Sequence, residues 1–165
     1  MKLLSLVRHA KSSWKDSHLS DFDRPLNKRG ERDAPRMGRR FASVEPPPDL
    51  ILASPARRAA RTAQVIAEEI GYAAERISFD PTLYLATPAE MLGAIQALDD
   101  RLAHAALVAH NPGLTDLCDV LARTKIDNVP TCGIVRMSLA IDSWHSASQG
   151  CGTLLDFDYP KRDKR

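Results

Sequence analysis

The chain opens on a short run, Leu3-Leu4-Ser5-Leu6-Val7, that is mostly apolar and passes directly into Arg8 and His9. A run this short, without regular polar alternation, predicts a central strand buried on both faces. Asp49-Leu50-Ile51-Leu52-Ala53 and Ala105-Ala106-Leu107-Val108-Ala109 have the same form, and each again ends in polar residues. Between these runs lie helix signals. Asn27 can cap a helix that carries Met37 and Phe41 on one face and stops at Glu45, before Pro46-Pro47-Pro48. Pro35 removes a backbone donor inside it, which predicts a kink or a start near residue 33. Ser54-Pro55 predicts a cap with proline at the first helical position, the helix reaching Ile70 and ending at Gly71. Thr87-Pro88 opens a helix to about Leu98, and Asn111-Pro112 opens one to about Ala122. Ile77 to Phe79 reads as a short strand, while Ile134 to Ile141 and Thr153 to Tyr159 read as a pair of strands near the sheet edge.

Strands alternating with helices predict an α/β fold, a three-layer α/β/α sandwich with a mostly parallel central sheet. With 165 residues, 44% of them hydrophobic, the chain has enough apolar material for one core. The expected organisation is a single domain over 1–160 and a charged, frayed tail over 161–165. Lysine and arginine number 23 against 21 aspartates and glutamates. So even a balance gives no ground for nucleic-acid or membrane-surface binding, and any positive charge that matters must be local. Cys118, Cys132 and Cys151 form no CxxC pair and no zinc spacing, as expected of reduced thiols in a soluble cytoplasmic protein. The first apolar run is too short for a signal peptide, and no stretch reaches the ~18 to 20 apolar residues of a membrane span.

Three of the predicted strands end in reactive clusters: Arg8-His9, Ser54-Pro55-Ala56-Arg57-Arg58, and His110-Asn111-Pro112. In open parallel sheets ligands bind beyond the carboxyl ends of the strands, so clusters far apart in sequence can converge there. Two histidines and at least two arginines would then surround one point. Arginine offers phosphoryl oxygens a planar fork of donors, and a neutral imidazole nitrogen can attack phosphorus.

Leu6-Val7-Arg8-His9-Ala10 resembles the Arg-His-Gly motif of the histidine phosphatase superfamily, with Ala10 in place of the glycine. Arg8 to Trp14, followed by Asp23-Arg24-Pro25-Leu26-Asn27-Lys28-Arg29-Gly30, is similar to the SixA-like phosphohistidine phosphatase branch. Ser54 to Ala63 resembles the family's second arginine segment, and Val108 to Gly113 its second histidine segment. Four such segments occur in family order. The resemblance implies that His9 is the nucleophile and becomes phosphorylated, while Arg8, Arg58 and His110 surround the phosphoryl oxygens. Arg58, not Arg57, holds the motif position four residues after the serine. Lys11, Ser12 and Trp14 follow the nucleophile closely enough to line a pocket, and Asn111, with the amides opening the next helix, could add donors. Arg24 and Arg29 are expected to fix the loop. Arg57 and Arg61 are expected to face solvent or pair with carboxylates such as Glu68 or Glu69, and His18, His104 and His145 to be surface or structural residues.

Many superfamily members carry a glutamate that protonates the leaving group. The matching region here, Asp80 to Leu85, has no carboxylate after Leu83, which leaves Asp80 or Glu90 as substitutes, or no acid at all. A phosphoramidate such as phosphohistidine needs little help to leave, whereas an alkyl phosphate benefits from a general acid. The modest length also leaves no room for a large cap insertion over the pocket. Both points imply a phosphorylated protein side chain as substrate, a phosphohistidine-bearing protein being the expected partner. A small-molecule phosphomonoesterase is the rival reading, with a mutase or a non-catalytic phosphate-binding module further behind. No cofactor and no metal is implied, because the arginines supply the positive charge that a metal ion supplies elsewhere.

Overall fold

A computed structural model describes residues 1–162. Six strands form one sheet: β1 (Lys2–Arg8), β2 (Leu50–Ala53), β3 (Ser78–Phe79), β4 (His104–Ala109), β5 (Ile134–Leu139) and β6 (Gly152–Asp158). The helices are α1 (Lys28–Phe41), α2 (Arg57–Ile70), α3 (Pro88–Gln96) and α4 (Gly113–Ala122). The order across the sheet is β3-β2-β4-β1-β5-β6. Pairing is parallel from β3 through β2 and β4 to β1, and β5 is antiparallel to both β1 and β6. The sheet is thus mixed but mostly parallel.

Alternation along the strands divides the core in two. Leu4, Leu6, Leu52 and Leu107 point to one face, where Met91 and Ile95 of α3 and Leu114, Leu117 and Leu121 of α4 cover them. Val7, Ile51, Ala106 and Val108 point to the other, against Met37 and Phe41 of α1 and Ala63 and Ile66 of α2. Helices on both faces make three layers, and explain why the central strands read as nearly continuous apolar runs. Ser5 is fully buried among them, and His104 Nε2 lies 2.7 Å from its hydroxyl while His104 Nδ1 bonds the Pro46 carbonyl at 2.8 Å. That pairing makes His104 a structural residue.

One helix start follows the cap signal in the sequence and one departs from it. α1 begins at Lys28, with the Asn27 side chain accepting from Gly30 N at 2.8 Å, and it continues through Pro35 instead of starting near residue 33. The buried face made by Ala34, Met37 and Phe41 offsets the bond that the proline forfeits. The helix ends at Phe41, a turn before Glu45. α2 begins at Arg57 with Ala56 at the cap position and no side-chain cap bond, because Ser54 is engaged elsewhere. Beyond β6 the chain folds back. Arg40 Nη1 reaches Asp158 Oδ1 at 3.1 Å and the Tyr159 carbonyl at 2.9 Å, and Arg162 Nη1 reaches Asp156 Oδ1 at 2.8 Å. Lys161 and Arg162 of the expected frayed tail therefore have a defined course, and residues 163–165 lie outside those described.

Candidate active site

Because β4 lies between β1 and β2 and all three are parallel, the three reactive strand ends meet beyond the carboxyl ends of the central strands. His9 follows β1 directly and is 6% exposed, with its amide donating to the Ala109 carbonyl at 3.2 Å. Its Nδ1 lies 2.8 Å from the Ala10 carbonyl, an acceptor only, so Nδ1 carries the proton and Nε2 keeps its lone pair. Arg58 Nε lies 3.4 Å from that Nε2. Thr62 fixes this junction: its hydroxyl donates to the Arg58 carbonyl at 2.7 Å and accepts from Ala10 N at 2.9 Å, tying the exit of β1 to the first turn of α2.

His110, after β4, has its ring centroid 5.1 Å from that of His9. Its Nε2 is 2.7 Å from Ser54 Oγ, which also accepts from Ala56 N at 3.3 Å. The Ser54 hydroxyl can donate to His110 Nε2 while it accepts from Ala56 N, and in that tautomer Nδ1 carries the proton. Among the described residues, His110 Nδ1 and Arg8 Nε are buried without a hydrogen-bond partner. An unpaired buried N–H is costly, and phosphoryl oxygens would satisfy both.

Burial, opposed in part by the Ala10 hydrogen bond and reinforced by the charges of His110, Arg58 and Arg8, pushes His9 down to about 3. Burial likewise pushes His110 down to about 4, with the Arg58 charge adding to it. His9 is therefore neutral at physiological pH, the state a nucleophilic imidazole requires. The pocket has a volume of about 200 Å³ and is lined by Arg8, His9, Arg24, Arg58 and His110, with exposed Trp14 and Leu85 also on its lining.

Comparison with known proteins identifies the family and the fold. The model of the histidine phosphatase superfamily (branch 1) matches residues 4–84. An uncharacterised protein of Mycobacterium tuberculosis is 31% identical over 166 residues, covering 94% of this chain and 100% of its own. A crystal structure of an Agrobacterium tumefaciens protein assigned as the phosphohistidine phosphatase SixA superposes with a TM-score of 0.79 at 27% identity, covering 96% of this chain and 98% of that one. This chain belongs to the histidine phosphatase superfamily. The Agrobacterium neighbour puts it on the SixA-like branch. A SixA structure complexed with tungstate shares the fold, with a TM-score of 0.80 at 20% identity over 96% of this chain and 97% of that one.

Other residues of this histidine phosphatase have places that the sequence did not specify. Asp21, in a short 3-10 turn over Asp21–Asp23, organises the arginines. Arg58 Nη1 donates to its carbonyl at 2.7 Å and Nη2 to Oδ2 at 3.0 Å, the Tyr84 hydroxyl donates to Oδ2 at 2.5 Å, and Arg24 Nε donates to Oδ1 at 3.2 Å. Partial burial pushes the Asp21 carboxyl up, but the bonds from Tyr84 and Arg58 outweigh it and hold the group at about 2. Neither Asp21 nor Tyr84 follows a periodic pattern or a motif in the sequence, so neither carries a signal there.

Lys11 and Ser12 do line the pocket, Lys11 exposed and Ser12 buried with its hydroxyl accepting from Arg24 Nη1 at 2.7 Å. Arg24 fixes the loop as expected and also lies in the pocket, its guanidinium 3.5 Å from the centre of the Trp14 ring. Asn111 has a different task from the one expected. Its Nδ2 donates to Asn128 Oδ1 and to the Val129 carbonyl, both at 3.0 Å, and its Oδ1 accepts from Thr115 N at 3.1 Å and Thr115 Oγ1 at 2.8 Å. Asn111 lines the pocket, but both its amide protons are thereby used, so it holds the loop and has no free amide proton to offer an anion. The amides of Leu114, Thr115 and Asp116 are likewise taken by His110, Asn111 and Pro112, which removes the expected helix-terminal donors at those positions.

Neither proposed substitute acid lines the pocket. Asp80 Oδ1 accepts from Thr82 N and Oγ1, and Glu90 completes a capping box with Thr87. Arg61 pairs with Glu31 at 3.2 Å, not with Glu68 or Glu69, and Glu69 pairs with Arg39 at 3.7 Å. Arg57 is exposed and reaches the Asp23 carbonyl at 3.4 Å, Arg29 pairs with Asp33 at 3.5 Å, and His18 and His145 are exposed.

Proposed function

We propose that this histidine phosphatase hydrolyses phosphohistidine on a protein in the cytoplasm through a covalent intermediate on its own His9. One observation carries the reading: a neutral His9 Nε2 faces arginine donors in a pocket that, among the described residues, no carboxyl group lines. The lone pair of Nε2 attacks phosphorus, and the bond to the substrate imidazole breaks. The departing nitrogen takes its proton from water, since Asp21 is ionised at neutral pH and has none to give. Water then attacks phosphorus, the bond to His9 breaks with its pair returning to Nε2, and the proton that the attacking water loses neutralises the hydroxide left by the first step as phosphate is released. Arg8, Arg58 and His110 stabilise the charge on the equatorial oxygens in both steps. An imidazole leaves without strong protonation, whereas an alkoxide does not, so the absence of an acid favours a phosphoramidate over an alkyl phosphate.

Further support comes from the pocket itself, whose 200 Å³ suits a phosphoryl group and a small leaving ring presented from a larger surface. The SixA neighbour that holds tungstate, a tetrahedral oxyanion, supports an oxyanion site in this fold. The three cysteines are free thiols, in keeping with a reducing compartment. No helix among the described residues is long and apolar enough to cross a membrane.

Acid-free quenching during turnover of a phosphohistidine peptide tests the mechanism. Phosphate should be found on His9 in an acid-labile bond and be missing in His9→Ala. Faster turnover of a sugar phosphate than of the phosphohistidine peptide would overturn the substrate assignment and favour a small-molecule phosphomonoesterase.

A further inference from the structure

Overall charge is nearly balanced, yet one groove concentrates cations. Arg29, Arg32, Arg36 and Arg40 recur at steps of three and four residues, so they share one face of α1 along about 16 Å of helix. Residues 160–162 form the opposite wall of a groove with a volume of about 420 Å³. Among the described residues, six cations and one carboxylate line it. That carboxylate, Asp33, is 2% exposed and lies 3.5 Å from Arg29 Nε and 3.6 Å from Arg32 Nε, so one buried charge steadies two guanidinium groups. Arg40 and Arg162 are paired with Asp158 and Asp156. Arg36 and Lys161 are exposed and have no ion pair among the described residues.

We propose that this groove docks an acidic segment of the phosphorylated protein, an inference that rests on the phosphohistidine reading above. A file of four arginines matches an extended polyanion better than a single phosphate, and a peptide rising about 3.3 Å per residue covers it with about five residues. Among the described residues no aromatic and no large apolar side chain lines the groove, so they offer neither a stacking platform for nucleic-acid bases nor an apolar face for a bilayer. The helix that carries the arginines also packs on a loop of the active site. Arg29 adjoins Gly30, where a Cβ would lie 2.2 Å from the Lys11 carbonyl oxygen, and Lys11 lines the pocket around His9. A protein presenting phosphohistidine to His9 would lay its neighbouring surface over the first turn of α1, with the arginine file leading away from it.

Fluorescence anisotropy of a labelled, unphosphorylated hexaglutamate peptide tests the groove without reference to catalysis. The native protein should bind it, Arg32→Glu/Arg36→Glu about tenfold more weakly, and raising salt from about 0.05 M to about 0.5 M should abolish the difference. Both positions are exposed, and thermal unfolding checks that the variant is folded. Equal binding by the variant, or tighter binding of a single-stranded DNA of equal charge, would overturn the proposal. Phosphohistidine peptides with glutamate and with neutral flanks then connect the groove to turnover: the glutamate flank should lower KM in the native protein and not in the variant. An unchanged KM difference in the variant would refute docking. Failure to dephosphorylate either peptide would instead refute the catalytic reading, while the anisotropy still decides what the groove binds.

Discussion

Replacing His9 by Asn tests whether the imidazole is held neutral by its surroundings, the property on which its chemistry depends. An asparagine amide can keep the bond that His9 Nδ1 makes to the Ala10 carbonyl, so the change removes the titrating ring and little else from that contact. The folded protein holds His9 at about 3 against an ordinary value of 6.5, chiefly through burial. Between those values the unfolded chain binds a proton that the folded chain refuses, so stability is lost as pH falls from 6.5. From pH 6.5 to about pH 4.5 the loss is two pH units at about 1.36 kcal/mol each, or about 2.7 kcal/mol. That figure barely changes for any folded value below about 4, which makes it a sturdy quantity to measure. Urea unfolding at pH 7 and at pH 4.5, in buffers without phosphate or sulfate, gives the stability difference for each protein. The native protein should lose about 2 to 3 kcal/mol more than His9→Asn over this interval. Equal losses would mean that His9 takes up a proton inside the folded protein, and the argument for a neutral nucleophile would fail.

Three other substitutions bear on the supports of the site. Asp21→Asn should weaken the hold on Arg58 and lower kcat for a phosphohistidine peptide by about tenfold to a hundredfold, since charge-assisted bonds are worth about 1.5 to 3 kcal/mol; Tyr84→Phe should cost less, and an unchanged kcat in both would remove Asp21 as a positioning residue. Ser54→Ala leaves the buried His110 Nε2 unpaired and should cost about 1 to 3 kcal/mol in urea unfolding, with a fall in kcat that Ser54→Thr partly restores. Gly30→Ala places a methyl group 2.2 Å from the Lys11 carbonyl oxygen; the loop must shift, so kcat should drop and stability should fall by about 1 to 3 kcal/mol, read by turnover and thermal unfolding.

Much of the fold was legible in the sequence because each central strand carries its own signal. Runs such as Leu50 to Ala53 are apolar on both faces only if helices cover both, and Asn27 and Thr87 announce helix starts by the bonds they can make locally. The places of Arg8, His9, Arg58 and His110 in the fold were legible for a related reason: each ends or directly follows a strand, or sits in the first turn of the next helix, where a motif is contiguous. Ser54 misled because its hydroxyl had two uses, a local cap and a distant imidazole, and only the packing of β2 against β4 chose the second. Asn111 misled in the same way, its amide being consumed by Asn128, Val129 and Thr115. What the tertiary structure alone decided is the order β2-β4-β1, which joins ends separated by about a hundred residues, and the loop contacts that set Asp21 and Tyr84 around Arg58. Loops have no hydrophobic period to betray their course, so their side chains find partners only once the sheet has brought their anchors together.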